Sequence, residues 1–339
     1  MVFELTDGLA RCPQKDWRIL TICISNLLIG YYEGYLSLIA SKPLCKFLKD
    51  KGLAVGIREE SALNHLENNN SYNPSVLWHI RVVLDSPDVS KHELDINFFT
   101  SVESILPSSF LCEHLIDIRF YMRIAYSYYP NSPMKVIERC GGGGSTADVF
   151  KNIKRNNIVC LVILDSDCKY PDCPRPPRGS TAFRCVSSYR KPLANVEIVV
   201  LPVHEIENLV PLSFMLQKTD ADGLKFLVRL KRHNMVDKLV YYDIKQGITK
   251  KNAMDSPDLL SFAQDIYNGI YPQKQSFDSY FKHKKTQDYL HPAINSNMLS
   301  DFMGEKQKNY EPDMFDAYRK SIADIVHTFL CCRGDTPIN

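Results

Sequence analysis

The sequence predicts an α/β fold, with a mainly parallel sheet flanked by helices in its middle third and helical regions on either side. Three observations lead there. Between Ser108 and Pro211, short apolar runs alternate with helical stretches: FLCE, IDIRFYMRIAYSYY, MKVIE, TADVFKNIKR, IVCLVIL and VEIVVLP. Strands that are apolar almost throughout are buried on both faces, as in a sheet whose crossover helices make it parallel. The flanking segments lack that alternation, and three of the central strands end in acids.

Residues 14 to 100 read as mainly helical, interrupted by the polar break LENNNSYNPS from Leu66 to Ser75, where Asn, Ser and Pro compete with regular structure. VLWHIRVVLD and ELDINFFTSVESIL continue as amphipathic segments up to Pro107, where a helix must stop. The expected organisation is a helical region over 1–104, an α/β domain over 105–215 and a helical region over 216–339, where LKFLVRLKRH and DLLSFAQDIYNGIY carry helical periodicity.

Composition limits the function classes. Apolar residues make up 45% and charged residues 24%, which excludes a disordered chain. The net charge of +2 is too small for bulk attraction to phosphate, so any nucleic-acid binding must come from local patches. Eleven scattered cysteines do not form a disulfide framework and suit a reducing, cytoplasmic setting. MVFELTDG has neither the basic start nor the apolar core of roughly 7–15 residues of a secretory signal. Ile19 to Ala40 is apolar over a bilayer-compatible length, but Glu33, Asn26 and its tyrosines favour a buried helix pair or a long core helix over a membrane span.

In parallel sheets, functional groups collect at the carboxyl ends of strands. FLCE ends in Glu113, IVCLVIL runs into Asp165-Ser166-Asp167, and VEIVVLP leads into HEIEN with Glu205 and Glu207. An Asp-x-Asp pair past a strand presents two carboxylates to one point, where mutual repulsion is relieved by a cation. Oxygen donors favour Mg2+ or Mn2+ over zinc. The competing meaning of such a pair is a turn or a helix cap, and Glu205 or Glu207 fits equally as a first-turn glutamate.

The ordered blocks FLCEHLIDIRFY, VIERCGGGGSTADVFKNIK, CLVILDSDCKYP and LPVHEIENLVP resemble the Toprim domain of OLD-type (overcoming lysogenization defect) nucleases and their relatives in antiphage systems, over about residues 105–215. The resemblance implies a Toprim-like sheet. It implies that Glu113 serves as metal ligand or general base, Asp117 as the acid that follows it, Asp165 and Asp167 as metal ligands, and Glu205 or Glu207 as the late ligand. It further implies a Mg2+-dependent nuclease acting on DNA or RNA, tRNA included, as an effector of a defence or toxin system. Where the family has Glu-Gly, this chain has Glu113-His114. His114 then contacts substrate or carries protons, or the first motif is shifted and Glu138 is its glutamate.

Gly142, Gly143 and Ser145 belong to a glycine run that suits either a phosphate nest or a flexible turn. No segment supplies GxxxxGK[ST], so no Walker-type ATPase is expected in these residues. Cys168, Cys173 and Cys185 are too irregularly spaced for zinc. Arg175, Arg178 and Lys169 lie on a proline-rich loop suited to phosphates or simply to solvent. Basic stretches occur at Lys151 to Arg155, Lys231 to His233 and Lys282 to Lys285. The last of these, in SYFKHKKTQDY, is interleaved with aromatics in a way that suits single-stranded or looped nucleic acid, against the commoner solvated helix face. Lys245 in YYDIKQGI is a candidate transition-state cation. The alternative to a nuclease is a non-catalytic regulator or binding subunit working with a partner ATPase or reverse transcriptase. Nothing beyond the shared metal geometry resembles a primase, and a homo-oligomer stays open.

Overall fold

The computed structural model describes residues 1–69, 76–189, 193–272, 276–306, 312–334 and 338. Most of the polar break at 66–75 lies outside them, as do residues 273–275 ahead of the SYFKHKKTQDY stretch. The α/β class is found, in two four-stranded parallel sheets flanked by helices. The chain divides into two compact units, one of residues 1–163, 185–199 and 320–339, the other of 164–184 and 200–319. The expected boundary at 104/105 falls inside the first unit.

Residues 1–104 are largely helical, but they also form a first sheet that was not expected. Strands β1 (Val2–Leu5), β2 (Ser37–Ala40), β3 (Ile80–Val83) and β4 (Glu93–Asp95) run in the order β2-β1-β3-β4. These strands have at most four residues, too short for their period of two to stand out from the helical pattern around them. Helices α1 (Trp17–Tyr32), α2 (Lys42–Asp50) and α3 (Ile57–Asn68) separate them. In α1, Leu20, Cys23, Ile24, Leu27, Leu28 and Tyr31 are buried, a spacing that forms one apolar stripe. The apolar run from Ile19 to Ala40 is therefore neither one long helix nor a helix pair. It breaks at Gly34, whose φ of +71° suits glycine and where a Cβ would collide with the Gly334 carbonyl, and then enters β2. Among the described residues, no helix is long and apolar enough to cross a membrane.

The second sheet is formed by β5 (Ser109–Cys112), β6 (Ile137–Cys140), β7 (Cys160–Leu164) and β8 (Val196–Val200), in the order β6-β5-β7-β8. Ser109 of β5 pairs with Ile137 on one side and Cys160 on the other. Every residue of β5 and β7 is buried, which accounts for their uninterrupted apolar sequence. Helices α4 (Leu115–Tyr128), α5 (Thr146–Arg155) and α6 (Thr181–Ser188) lie between successive strands in the sequence. The three expected acidic strand ends are formed: Glu113 follows β5, Asp165 follows β7, and β8 leads toward Glu205.

The C-terminal part of the second unit is mainly helical, through α7 (Leu212–Lys218), α8 (Ala221–Arg232), α9 (Lys250–Met254), α10 (Pro257–Ile270), α11 (Phe277–His283) and α12 (Met298–Gly304). It also holds one antiparallel strand pair, β9 (Ile248–Thr249) with β10 (Tyr289–His291). The chain's last helix, α13, spans Asp316–Leu330.

His291 is fully enclosed beside β9. Its Nε2 lies 2.8 Å from the Ala263 carbonyl, and its ring stacks on Phe226 at 5.4 Å. Burial pushes its pKa down from 6.5 to about 4. The unfolded chain therefore takes up this proton more readily, so the stabilising effect of neutral His291 is complete above pH 6.5 and is lost as pH falls toward 4. The full loss is on the order of 3 kcal/mol. Urea melts at pH 7 and pH 5 should show a smaller pH-dependent loss for His291→Gln than for the wild type; equal losses would refute the assignment.

Candidate metal centre

Three loops of the second unit are joined by hydrogen bonds around the segment His204–Asn208. The first is the 165–168 loop that leaves β7. Ser166, fully buried, donates through Oγ to the Val203 carbonyl at 2.6 Å and accepts from the Cys168 amide at 3.2 Å. Asp167 adopts φ +58°, a left-handed conformation that aspartate tolerates better than most residues, and its amide donates to the His204 carbonyl at 2.9 Å. Asp165 Oδ1 accepts from the Ile206 amide at 3.0 Å.

The second joint is Asn208, also fully buried. Its Oδ1 accepts from the Glu205 amide at 2.8 Å, while its Nδ2 donates to the carbonyls of Leu239 (2.6 Å) and Tyr242 (2.8 Å). The His204 amide donates to the Val240 carbonyl at 2.7 Å. These bonds carry the 239–243 segment, and with it Asp243, up to the HEIEN turn.

His204, Glu205 and Asp243 each offer a ligand atom within 4.8 Å of the others, and all three are buried, so the cluster could hold a metal ion. Glu205 Oε2 lies 2.7 Å and Glu207 Oε1 3.2 Å from Lys245 Nζ. Lys169 Nζ approaches Asp243 Oδ2 at 3.6 Å, and His204 Nε2 stands 3.9 Å from the same oxygen. The second oxygens of the glutamates, Glu205 Oε1 and Glu207 Oε2, are buried without a hydrogen-bond partner among the described residues, as is His204 Nδ1. Orphaned acceptors of this kind cost stability unless something binds them.

The electrostatics point the same way. Burial, and next to it the charge of Glu207, pushes the Glu205 carboxyl up to about 7, against the pull of Lys245. Burial disfavours the Asp243 carboxylate too, but the nearby His204 imidazole, the hydrogen bond from the Gln246 amide and the Lys169 charge outweigh it and hold its pKa below the usual value. Lys245 loses some basicity to burial and regains more from the two glutamates, so it stays firmly protonated. Glu205, Glu207 and Asp243 thus face the ammonium groups of Lys169 and Lys245 and the His204 imidazole. Three buried acids against two lysines leave a place for a further cation beside His204.

Of the residues singled out from sequence, Glu205, Glu207 and Lys245 are brought together, and Asp165 is tied to the same turn. Asp167 is exposed beside it. His204 as a donor, Asp243 and the joining residues Ser166 and Asn208 were missed. Asp243 had a signal, since it sits two residues before Lys245 in YYDIK, but the apolar run ahead of it is the 3-10 helix Val236–Tyr241 and not a strand.

The other predicted residues join no metal-ligand cluster among the described residues. Glu113, half-buried in the first unit, accepts through its backbone carbonyl from the Gly142 amide at 2.9 Å. The exposed His114 precedes α4, and its amide donates to Asp117 Oδ2 at 2.9 Å, so Asp117 caps that helix. Glu138 lies within β6. The Gly141 and Gly142 amides are both taken up by carbonyls at the end of β5, which removes them as phosphate donors. Gly143 keeps a left-handed φ of +60°, and Ser145 donates to the Gly142 carbonyl at 3.4 Å. Arg175 and Arg178 are exposed, with Arg175 over the Tyr241 ring at 5.1 Å. Cys168 and Cys173 are buried thiols that join no metal-ligand cluster among the described residues.

Asn208→Ala removes three hydrogen bonds and deprives the Glu205 amide and the Tyr242 carbonyl of these partners, while the Leu239 carbonyl keeps the Tyr242 amide at 3.2 Å. It should lower unfolding stability by about 2–4 kcal/mol in denaturant melts, whereas Asn208→Asp should recover part of the loss through the Glu205 amide. A loss below about 0.5 kcal/mol for the alanine variant would mean that the loops are held by other contacts.

No protein-family model, curated protein or solved structure matches this chain.

Proposed function

We propose that this chain is a Mg2+- or Mn2+-dependent nuclease of the Toprim kind that cleaves phosphodiester bonds in DNA or RNA, tRNA included, as an effector of a bacterial or phage-borne defence or toxin system. The order of the four sequence blocks suggests the family and the defence role. The observation that carries the chemistry is the buried group of Glu205, Glu207, Asp243 and His204, with unpartnered oxygens on both glutamates.

In this reading Glu205, Asp243 and His204 hold the ion, with Glu207 and Asp165 beside them. Oxygen donors outnumber nitrogen, which suits Mg2+ or Mn2+, and the one imidazole leans toward Mn2+. When bound, such an ion lowers the pKa of a water and offsets charge on a phosphoryl oxygen. Lys245 is a fixed cation for the charge that develops on phosphate. Lys169, Arg175 and Arg178, on the segment that follows Asp167, counter the repulsion between phosphates and the acids. Glu113 enters through the resemblance alone.

Incubation with tRNA and with single- and double-stranded DNA, with and without Mg2+ or Mn2+, should show metal-dependent cleavage. Asp165→Asn, Glu205→Gln and Asp243→Asn should each reduce it by about 100-fold or more, since losing even an outer partner of a metal site costs about 10–100-fold. Undiminished cleavage in all three variants would overturn the site.

One observation favours a second reading, a non-catalytic subunit that works with a partner protein. Lys245 already neutralises one oxygen of each glutamate without any metal. That reading calls for no cleavage by the isolated chain and for stable co-purification with a partner.

A further inference from the structure

Helices α8, α10 and α11 and strand β10, all in the second unit, surround a cavity of about 530 Å3. That volume falls in the range of small-ligand sites. Its chemistry is uneven. Phe226 and the enclosed His291 form apolar lining, while Arg229, Lys284, Tyr271, Tyr280 and Tyr289 bring cations and phenol rings.

The two cations are arranged alike. The Arg229 guanidinium lies over the Tyr271 ring at 4.6 Å and donates to its hydroxyl, and the Lys284 ammonium lies over Tyr280 at 5.1 Å. Tyr280 is itself held in place, stacked on Tyr267 at 4.5 Å and donating through its hydroxyl to the Leu290 carbonyl at 3.0 Å. Neither Arg229 nor Lys284 has a carboxylate within 4 Å among the described residues, whereas Lys225 at the same rim pairs with Asp222 at 3.4 Å. Tyr289 is 48% exposed, and its ring meets no other ring among the described residues. Two cations with no carboxylate within 4 Å, outnumbering the Asp288 carboxylate that shares the lining, beside a phenol face open to solvent call for a ligand that is anionic and aromatic together.

We infer that this cavity binds a nucleotide unit of single-stranded nucleic acid, its base stacked on Tyr289 and its phosphates held by Arg229 and Lys284. A duplex keeps its bases stacked on one another and gives Tyr289 nothing to stack on, and a free nucleotide lacks the neighbouring phosphates that two separate cations can hold. The inference names the substrate class for the nuclease reading and rests on that reading for its purpose, while the binding itself needs no metal.

The test is fluorescence anisotropy of the full chain in EDTA, with a fluorescein-labelled single-stranded RNA of about 12 nucleotides, the same sequence as a duplex, and AMP as competitor. Single strand should bind more tightly than duplex. Tyr289→Ala should weaken it by about 10-fold and Tyr289→Phe should not, because stacking uses the ring and not the hydroxyl. In the double variant Arg229→Gln, Lys284→Gln, the slope of log K against log salt should become shallower by about 1.4, the contribution of two phosphate contacts on a single strand. Thermal melts establish that each variant is folded. Absent binding, equal binding of duplex, displacement of the strand by AMP at matched phosphate concentration, or indifference to Tyr289→Ala each overturns the inference. Strand binding with this pattern but without metal-dependent cleavage keeps it and sinks the nuclease reading.

Discussion

The metal centre proposed for the second unit depends on the hydrogen bonds that lock the HEIEN turn between two other loops. Asn208 holds the Glu205 amide and two carbonyls of the 239–242 segment, and Ser166 ties the loop after β7 to the Val203 carbonyl. Both side chains are fully buried, so each bond is made away from competing water and each would be costly to leave unmade. Carboxylates that repel one another do not gather unaided. Here the backbone is fixed first, by neutral amide and hydroxyl groups, and the charged side chains follow from it.

The charge balance explains why the arrangement is tolerated. Lys245 answers one oxygen of each glutamate and Lys169 answers Asp243, which leaves the other glutamate oxygens and His204 Nδ1 without hydrogen-bond partners among the described residues. A site of purely structural purpose would satisfy these atoms or replace them with apolar groups of the same shape, which is often the more stable solution. Retaining three buried acids with two lysines is a stability cost that a bound cation would offset. The cavity near β10 inverts this pattern, since its cations Lys225, Arg229 and Lys284 outnumber its carboxylates Asp222 and Asp288, which favours phosphate.

Much of this was legible in the sequence, for identifiable reasons. Uninterrupted apolar runs such as CLVIL mark strands buried on both faces, and the acids at their ends could be read directly. Glu205, Glu207 and Lys245 were singled out, and they meet. The first sheet was not legible, because VFEL and IRVV are too short to stand out from a helical background and SLIA continues an apolar run without a break in hydropathy. Nor were His204 and Asp243. A histidine next to a glutamate carries no spacing signal, and Asp243 is brought to the turn by main-chain carbonyls held by Asn208 and by the His204 amide, contacts that no residue pattern encodes. The capping role of Asp117 and the use of the Gly142 amide by the Glu113 carbonyl show the opposite effect, in which a residue matching a functional motif also does local backbone work.

The central claim is that the carboxylates and imidazole of the second unit bind a divalent cation, and Mn2+ titration of the full chain followed by electron paramagnetic resonance measures this without reference to any substrate. The account predicts a saturable loss of the free Mn2+ signal that Glu205→Gln and Asp243→Asn each abolish or weaken by at least about 10-fold, with Asp117→Asn unaffected. A free Mn2+ signal that rises in proportion to added metal from the first addition, or binding that persists unchanged in both variants, would contradict it.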